Sequence, residues 1–367
     1  MLLLKQRLYE SGYTASDLAF HCSFNQPVVS NALNHARIPV RRRMQFIDEV
    51  ENFLKKHDIE SEGAWSETQP DQAVSKPNPE AEPYLETEML TQASLKHFKL
   101  FRNPFLNDVR EAKDVYLGDD SRYLLAAMRD AARNQGILAL VGDSGAGKSI
   151  LRKQLLEDLL LDGDVSVIQP RIIDKSVATC AGLCDAIIDD LSDAKPKRSM
   201  EAKARQVEDL LLSAAKGGQR HVLIIEEAHD LTIPVLKFLK RFWELEDGFS
   251  KLLGIILIGQ TELAAKLNER KNYQLREFTR RCMIEQVPTL EHDLEDYLSH
   301  KFTRAGGQLT NVFNSDCYEV IHQKLGRKSN GFSMLYPQII NNLSSRAMNL
   351  AQQIGEPLVT PDIIREC

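Results

Sequence analysis

Between residues 136 and 259 short apolar runs recur: GILALVG, VSVIQP, HVLIIEE and LLGIILIG have the length and saturation of buried strands, and amphipathic helical stretches separate them. Strand and helix in alternation predict a parallel sheet covered by helices. From about residue 290 the period stays helical, through EHDLEDYLSHKFTRAG, SDCYEVIHQKLGR and LYPQIINNLSSRAMNLAQQIG. A helical region closing the chain follows.

The first 57 residues are also patterned as helices. In TASDLAFHCSFNQPVVSNALNH, Leu18 and Ala19 close one short helix, and Val28, Val29, Ala32 and Leu33 form the apolar face of the next. Asn25 suits an N-cap and Pro27 a first helical turn. The spacing resembles the helix-turn-helix of Cro and lambda-repressor-like domains, with Ser23 standing in place of the turn glycine. That resemblance implies that the second helix presents Gln26, Ser30, Asn31 and Asn34 to DNA, while Arg37, Arg41, Arg42 and Arg43 face phosphates. A small bundle that docks another protein is the alternative.

Charge changes the picture once it is divided along the chain. The net charge of -6 disfavours a nucleic-acid partner, but nine acidic residues and one lysine lie between Asp58 and Leu90, among Pro70, Pro77, Pro79 and Pro83. This stretch reads as an acidic flexible linker, and removing it leaves 45 basic and 43 acidic residues. The expected layout is a DNA-binding unit over 1–57, a linker over 58–94, a core of alternating strands and helices over 95–290 and a helical region over 291–367. No apolar run reaches the roughly 18 residues of a membrane span, and MLLLKQRLYE does not read as a secretory signal. The expectation is a cytoplasmic protein whose six scattered cysteines are reduced thiols. Cys180 and Cys184, four apart without further ligands nearby, read as helix residues and not as a zinc site.

The strongest chemical signal is GDSGAGKS, which follows the strand ILALV and opens the helix ILRKQLLEDLL. Its residues Gly142, Asp143, Ser144, Gly145, Ala146, Gly147, Lys148 and Ser149, with Ile150 after them, form a phosphate loop. Glycines let backbone N–H groups turn toward phosphates, and the helix start adds donors and dipole. Lys148 is expected at the β- and γ-phosphates of ATP and Ser149 on Mg2+. HVLIIEE supplies carboxylates at a strand's carboxyl end, where open α/β sheets bind ligands. Glu226 is assigned to magnesium and Glu227 to polarising the attacking water. Most sites of this kind carry Asp first, so the extra methylene at Glu226 displaces its carboxylate.

In order along the chain, NPF at Asn103, Pro104 and Phe105, the phosphate loop, IIEEAH, PVLKFLKRFWELED and the strand ending IGQTEL resemble the AAA+ ATPases of the ExeA-like group and their relatives in DNA transposition, the family of phage Mu B and transposon target-selection proteins. The resemblance implies an α/β fold: a P-loop AAA+ parallel sheet with a helical lid, plus a small all-α N-terminal helix-turn-helix domain. It places Asn103, Pro104 and Phe105 beside the adenine pocket, although packing alone also explains Phe105. It makes Gln260 the polar contact to the γ-phosphate or water, with Thr261 the near alternative. It also points to Arg280 or Arg281 as an arginine finger reaching a neighbouring subunit, Arg281 matching the family's spacing better. Relatives carry an arginine soon after the glycine of the lid segment, whereas Gly331 is followed by Phe332, Ser333, Met334 and Leu335. Arg171, Lys175, Lys195, Lys197 and Arg198 are the implied DNA contacts of an inner channel.

The function so implied is an ATP-dependent DNA-binding protein that assembles as a homo-oligomer, ring or filament, on double-stranded DNA and recruits a transposase. Nothing in the chain resembles a transposase's own acidic triad, so ATP hydrolysis is its expected reaction. Two alternatives stand beside it: a helix-turn-helix regulator under ATP control, and an ExeA-type secretion-assembly ATPase.

Overall fold

The computed structural model describes residues 42–57, 88–106, 112–170, 179–326 and 333–367, with Leu4, Leu8, Leu18, His21, Cys22, Phe24, Val28, Val29, Ala32, Leu33, Ile59 and Trp65. The chain divides into two compact units, Met1–Tyr84 and Leu85–Cys367.

In the first unit, helix α1 (Arg43–Lys56) buries Phe46, Val50, Phe53 and Leu54. These positions recur at helical spacing and join Leu4, Leu8, Leu18, Cys22, Val29, Ala32 and Leu33 in one core. Phe24 meets the Phe46 ring edge-on at 5.0 Å. The apolar face expected from Val28, Val29, Ala32 and Leu33 thus has Val29, Ala32 and Leu33 buried and Val28 packed against the same core. Of the DNA-facing set, Gln26, Ser30, Asn31, Asn34, Arg37 and Arg41 lie outside the described residues. Arg42 and Arg43 are exposed at the start of α1.

The second unit runs through α2 (Gln92–His97), α3 (Asp119–Arg133), β1 (Ile137–Val141), α4 (Lys148–Asp162), β2 (Val165–Ile168), α5 (Cys180–Leu191), α6 (Met200–Lys216), β3 (Arg220–Ile225) and α7 (Ile233–Trp243). It continues through β4 (Glu246–Asp247), β5 (Ser250–Lys251), β6 (Leu253–Gly259), α8 (Thr261–Lys266), α9 (Arg276–Thr279), β7 (Cys282–Gln286), α10 (Leu294–Arg304), α11 (Cys317–Leu325), α12 (Pro337–Ile354) and α13 (Pro361–Glu366). The five-stranded sheet has the order β2-β3-β6-β1-β7, with every pairing parallel. β1 and β6 are buried along their whole length, which is why they read as continuous apolar runs. Alternate residues serve opposite layers. Ala139, Val141, Leu223, Ile225 and Leu257 face a core shared with α5, α6 and α7. Leu138, Leu140, Val222, Ile224 and Ile256 face one shared with α3 and α4.

Gly254 marks the closest approach of α3 to the sheet. A Cβ there would lie 2.7 Å from the Ala131 carbonyl and 3.2 Å from Gln135 Cα, both backbone atoms that cannot swing aside. Gly254→Ala is therefore expected to destabilise this unit by about 1–3 kcal/mol, read as a lowered denaturant midpoint with unchanged slope.

Three boundaries differ from the sequence pattern. Residues 88–94, expected as the end of the linker, are folded: Thr91 caps α2, and its N–H donates to Asn349 Oδ1 at 3.1 Å. Asn349 in turn donates to Glu88 Oε1 at 2.6 Å, and Leu90, Leu95, Phe98 and Leu100 enter the core of the C-terminal helices. The segment before the sheet thus belongs with the lid. The segment PVLKFLKRFWELED is helical only as far as Trp243, and the chain turns at Gly248 (φ 63°) in the β4–β5 hairpin. The strand β7 has no counterpart among the expected strands; only Cys282 of its five residues is buried.

Candidate nucleotide site

The pairing registers bring four strand ends together. Val141 lies beside Gly259 and Gln286, and Ile225 lies beside Leu257, so Gly142, Glu226, Gln260 and Val287 leave the sheet at one edge. The Gly142 N–H donates to the Gly259 carbonyl at 3.2 Å, and the Val287 N–H to the Val141 carbonyl at 2.7 Å. A cavity of about 640 Å³ opens there between the sheet and the lid.

The phosphate loop forms one wall. Gly145 (φ 78°) and Gly147 (φ 105°) adopt left-handed backbone that only glycine takes without strain, and Gly147 is the residue from which α4 starts. No acidic side chain lies in that first turn, so the helix start keeps its attraction for anions. Ser144, Gly145, Ala146, Gly147, Lys148, Ser149 and Ile150 line the cavity, whereas Gly142 and Asp143 lie behind it. Lys148 Nζ donates to the Gly142 and Asp143 carbonyls at 2.7 and 2.8 Å. Burial lowers its pKa, opposed by the charges of Glu227, Asp143 and Glu262.

The two strand-end carboxylates part company. Glu227 lines the cavity, held in left-handed backbone (φ 51°) that is costly for a side chain bearing a Cβ. Lys266 of α8 clamps the turn that follows by donating to the His229 carbonyl and, at 3.1 Å, to that of Leu231. His229 Nδ1 accepts from the Gln260 N–H at 3.3 Å and lies 3.4 Å from Glu227 Oε2. The ring therefore stands between the expected water-polarising carboxylate and Gln260, which also lines the cavity. Glu226 turns elsewhere: its Oε2 lies 3.0 Å from Arg152 Nε of α4, an ion pair without hydrogen-bond alignment, and it does not line the cavity.

On the opposite wall, Asn103 and Phe105 line the cavity, and Pro104 is buried. Asn103 Oδ1 accepts the Phe105 N–H at 2.9 Å, fixing the turn, and the Phe105 ring meets Phe302 of the lid edge-on at 5.7 Å. Phe105 therefore packs and lines at once. Arg280 and Arg281 are exposed and outside the cavity, paired with Glu269 and Glu244 at 2.6 and 2.7 Å. Lys195, Lys197 and Arg198 are exposed after α5, in a loop that Gln206 pins by accepting the Lys197 N–H at 3.0 Å. Arg171, Lys175, Gly331 and Phe332 lie outside the described residues.

Residues the sequence pattern did not single out complete the cavity. Tyr116, Tyr297, Lys301, Gln338 and Asn341 line it from segments far apart in the chain. Only Gln338, seven residues after Gly331 in the lid segment, stood near a recognised signal.

Residues 129–267 match the model of the AAA domain family. The matched stretch encloses the phosphate loop, Glu226, Glu227 and Gln260. Over 216 residues the chain is 27% identical to General secretion pathway protein A of Aeromonas hydrophila, covering 58% of this chain and 36% of that protein. The chain thus spans about a third of that curated relative. Among solved structures it resembles Drosophila ORC bound to DNA, with a TM-score of 0.50, 14% identity and coverage of 81% of this chain and 73% of that one. Aeropyrum pernix ORC2 in ADPNP–ADP complexes gives a TM-score of 0.48 at 13% identity, covering 72% and 70%. At 14% identity the likeness to Drosophila ORC is one of fold alone, a parallel α/β sheet covered by helices. Among the described residues no helix is long and apolar enough to cross a membrane.

Proposed function

We propose that the chain is an ATP-hydrolysing AAA+ protein that assembles on double-stranded DNA and serves a transposase as its target selector. The observation that carries the ATPase part is a single cavity walled by Lys148, Ser149, Glu227 and Gln260, the donors and carboxylate that phosphoryl transfer to water requires. On this reading Lys148 leaves the two carbonyls it now holds and neutralises phosphate charge. Glu227 orients water toward the γ-phosphate, and Gln260 fixes the same water or the phosphate from the adjacent strand.

Magnesium, which neutralises charge on phosphate oxygens, fits this donor set. Among the described residues no three His, Cys, Asp or Glu converge as a cage. A phosphate-bound magnesium needs none, because water and phosphate oxygens fill most of its octahedral positions. Ser149 would hold it directly, and Glu226 once freed from Arg152.

Assembly on DNA is supported by Arg281, exposed and outside its own cavity, and by the exposed cations of the Lys195–Arg198 loop. Fluorescence anisotropy of the full chain on duplex DNA across a salt series tests this. Binding should require ATP, tolerate many sequences, and weaken with a log-log slope of about -0.9 per phosphate neutralised. Changing Lys195, Lys197 and Arg198 together to Ala should make that slope shallower. Sequence-selective binding without ATP would favour the regulator. The likeness to General secretion pathway protein A favours a secretion role, and ATP hydrolysis with no DNA binding at any salt would give it first place.

A further inference from the structure

The lid segment has no arginine between Gly331 and Arg346, yet it touches the phosphate loop directly. Tyr336, buried at the residue preceding α12, donates its hydroxyl to Asp143 Oδ2 at 2.6 Å. Two residues on, the Gln338 N–H reaches the Gly145 carbonyl at 3.4 Å, and a Cβ on Gly145 would lie 2.3 Å from Gln338 Oε1. The start of α12 is therefore seated on both Asp143 and Gly145, and Gly145 must remain glycine for Gln338 to lie there.

We propose that Tyr336 is a positioning residue that latches the lid to the phosphate loop and, by holding the Asp143 carboxylate out of the cavity, sets the loop's affinity for nucleotide. This rests on the proposal that the loop binds ATP. Three features carry it. Asp143 is the only carboxylate within the loop GDSGAGKS, and it lies outside the cavity lining, toward the lid. Without the hydroxyl, that charge is free to turn toward the phosphates, where like charges repel. Burial and the neighbouring carboxylate push the Tyr336 phenol well above its usual range, so it stays a donor. Finally, Asp143 is bound at both ends, since its carbonyl accepts from Lys148 and its side chain from Tyr336. When Lys148 moves onto a phosphate, the residue holding the lid loses one of its two anchors. Nucleotide and lid position are thereby coupled, and the coupling acts equally in both directions.

A double-mutant cycle on the full chain tests the latch, with ATP affinity as the readout. Tyr336→Phe keeps the ring in its apolar surroundings and removes only the donor. In the wild-type background it is expected to weaken ATP binding about fivefold, the low end of coupling between linked sites. In an Asp143→Asn background, where no charge needs restraint, its effect should fall below about twofold. Equal losses in the two backgrounds, or no loss in either, would overturn the latch while leaving the ATP site intact. Asp143→Asn alone removes the charge that repels phosphates and should tighten ATP binding. A fivefold loss in that variant also overturns the proposal, and decides the matter if Tyr336→Phe does not fold. A wild-type chain that binds no ATP would overturn the latch together with the nucleotide site itself.

Discussion

Glu227→Gln is expected to slow ATP turnover by the full chain about 10²- to 10⁴-fold and to leave ATP affinity within about twofold, the signature of a group that acts when water attacks. Glutamine keeps the size and one oxygen of the side chain but cannot accept a proton. His229 Nδ1, 3.4 Å from Glu227 Oε2, helps to place the carboxylate. Lys148→Ala is expected to give the opposite pattern and abolish ATP binding, because in the proposed site the lysine neutralises phosphate charge in the ground state. Equilibrium nucleotide binding and steady-state phosphate release on the same preparations separate the two. Wild-type turnover by Glu227→Gln would remove Glu227 from the chemistry and leave Glu226, released from Arg152, as the next carboxylate to examine.

The parts of this site that were legible in the sequence share one property: their chemistry is contained in consecutive residues. The phosphate loop needs glycine at two left-handed positions and a lysine at the helix start, and all three stand within eight residues, Gly142 to Ser149. Strands β1, β3 and β6 were legible because burial on both faces demands unbroken apolar runs. β7 was not, because an edge strand with Met283 and Ile284 exposed need not be apolar, and CMIEQ is hardly distinguishable from a loop. Residues 88–94 lie at the end of an acidic, proline-rich stretch, and their fold rests on distant partners such as the Asn349 side chain, 258 residues from Thr91. Glu226 and Glu227 are adjacent and chemically alike. What separates them is the left-handed backbone at Glu227 and an arginine on α4, and neither is written in IIEEAH. The Tyr336–Asp143 bond joins residues 193 apart.

Arg281→Ala is expected to abolish the dependence of ATP turnover on protein concentration and on added duplex DNA, while ATP binding by the single chain is unchanged. Its guanidinium donates to Glu244 Oε1 at 2.7 Å and lies 5.6 Å from the centre of the Trp243 ring, at the surface and outside its own chain's cavity. Arginine held that way does not line the cavity of its own subunit. Brought against a neighbour's γ-phosphate, it supplies charge exactly where the transition state gains it, and such fingers are worth about 10³- to 10⁵-fold. Lysine cannot substitute fully, since its point charge lacks the planar fork that spans two phosphate oxygens. Arg280, paired with Glu269 on the surface, serves as the control: Arg280→Ala should leave the concentration dependence in place. The measurement is specific activity across a hundredfold dilution series, with and without duplex DNA. Turnover by the wild type that does not change with concentration would rule out a site shared between subunits, and Arg281 would then be a surface residue held by Glu244 and the Trp243 ring.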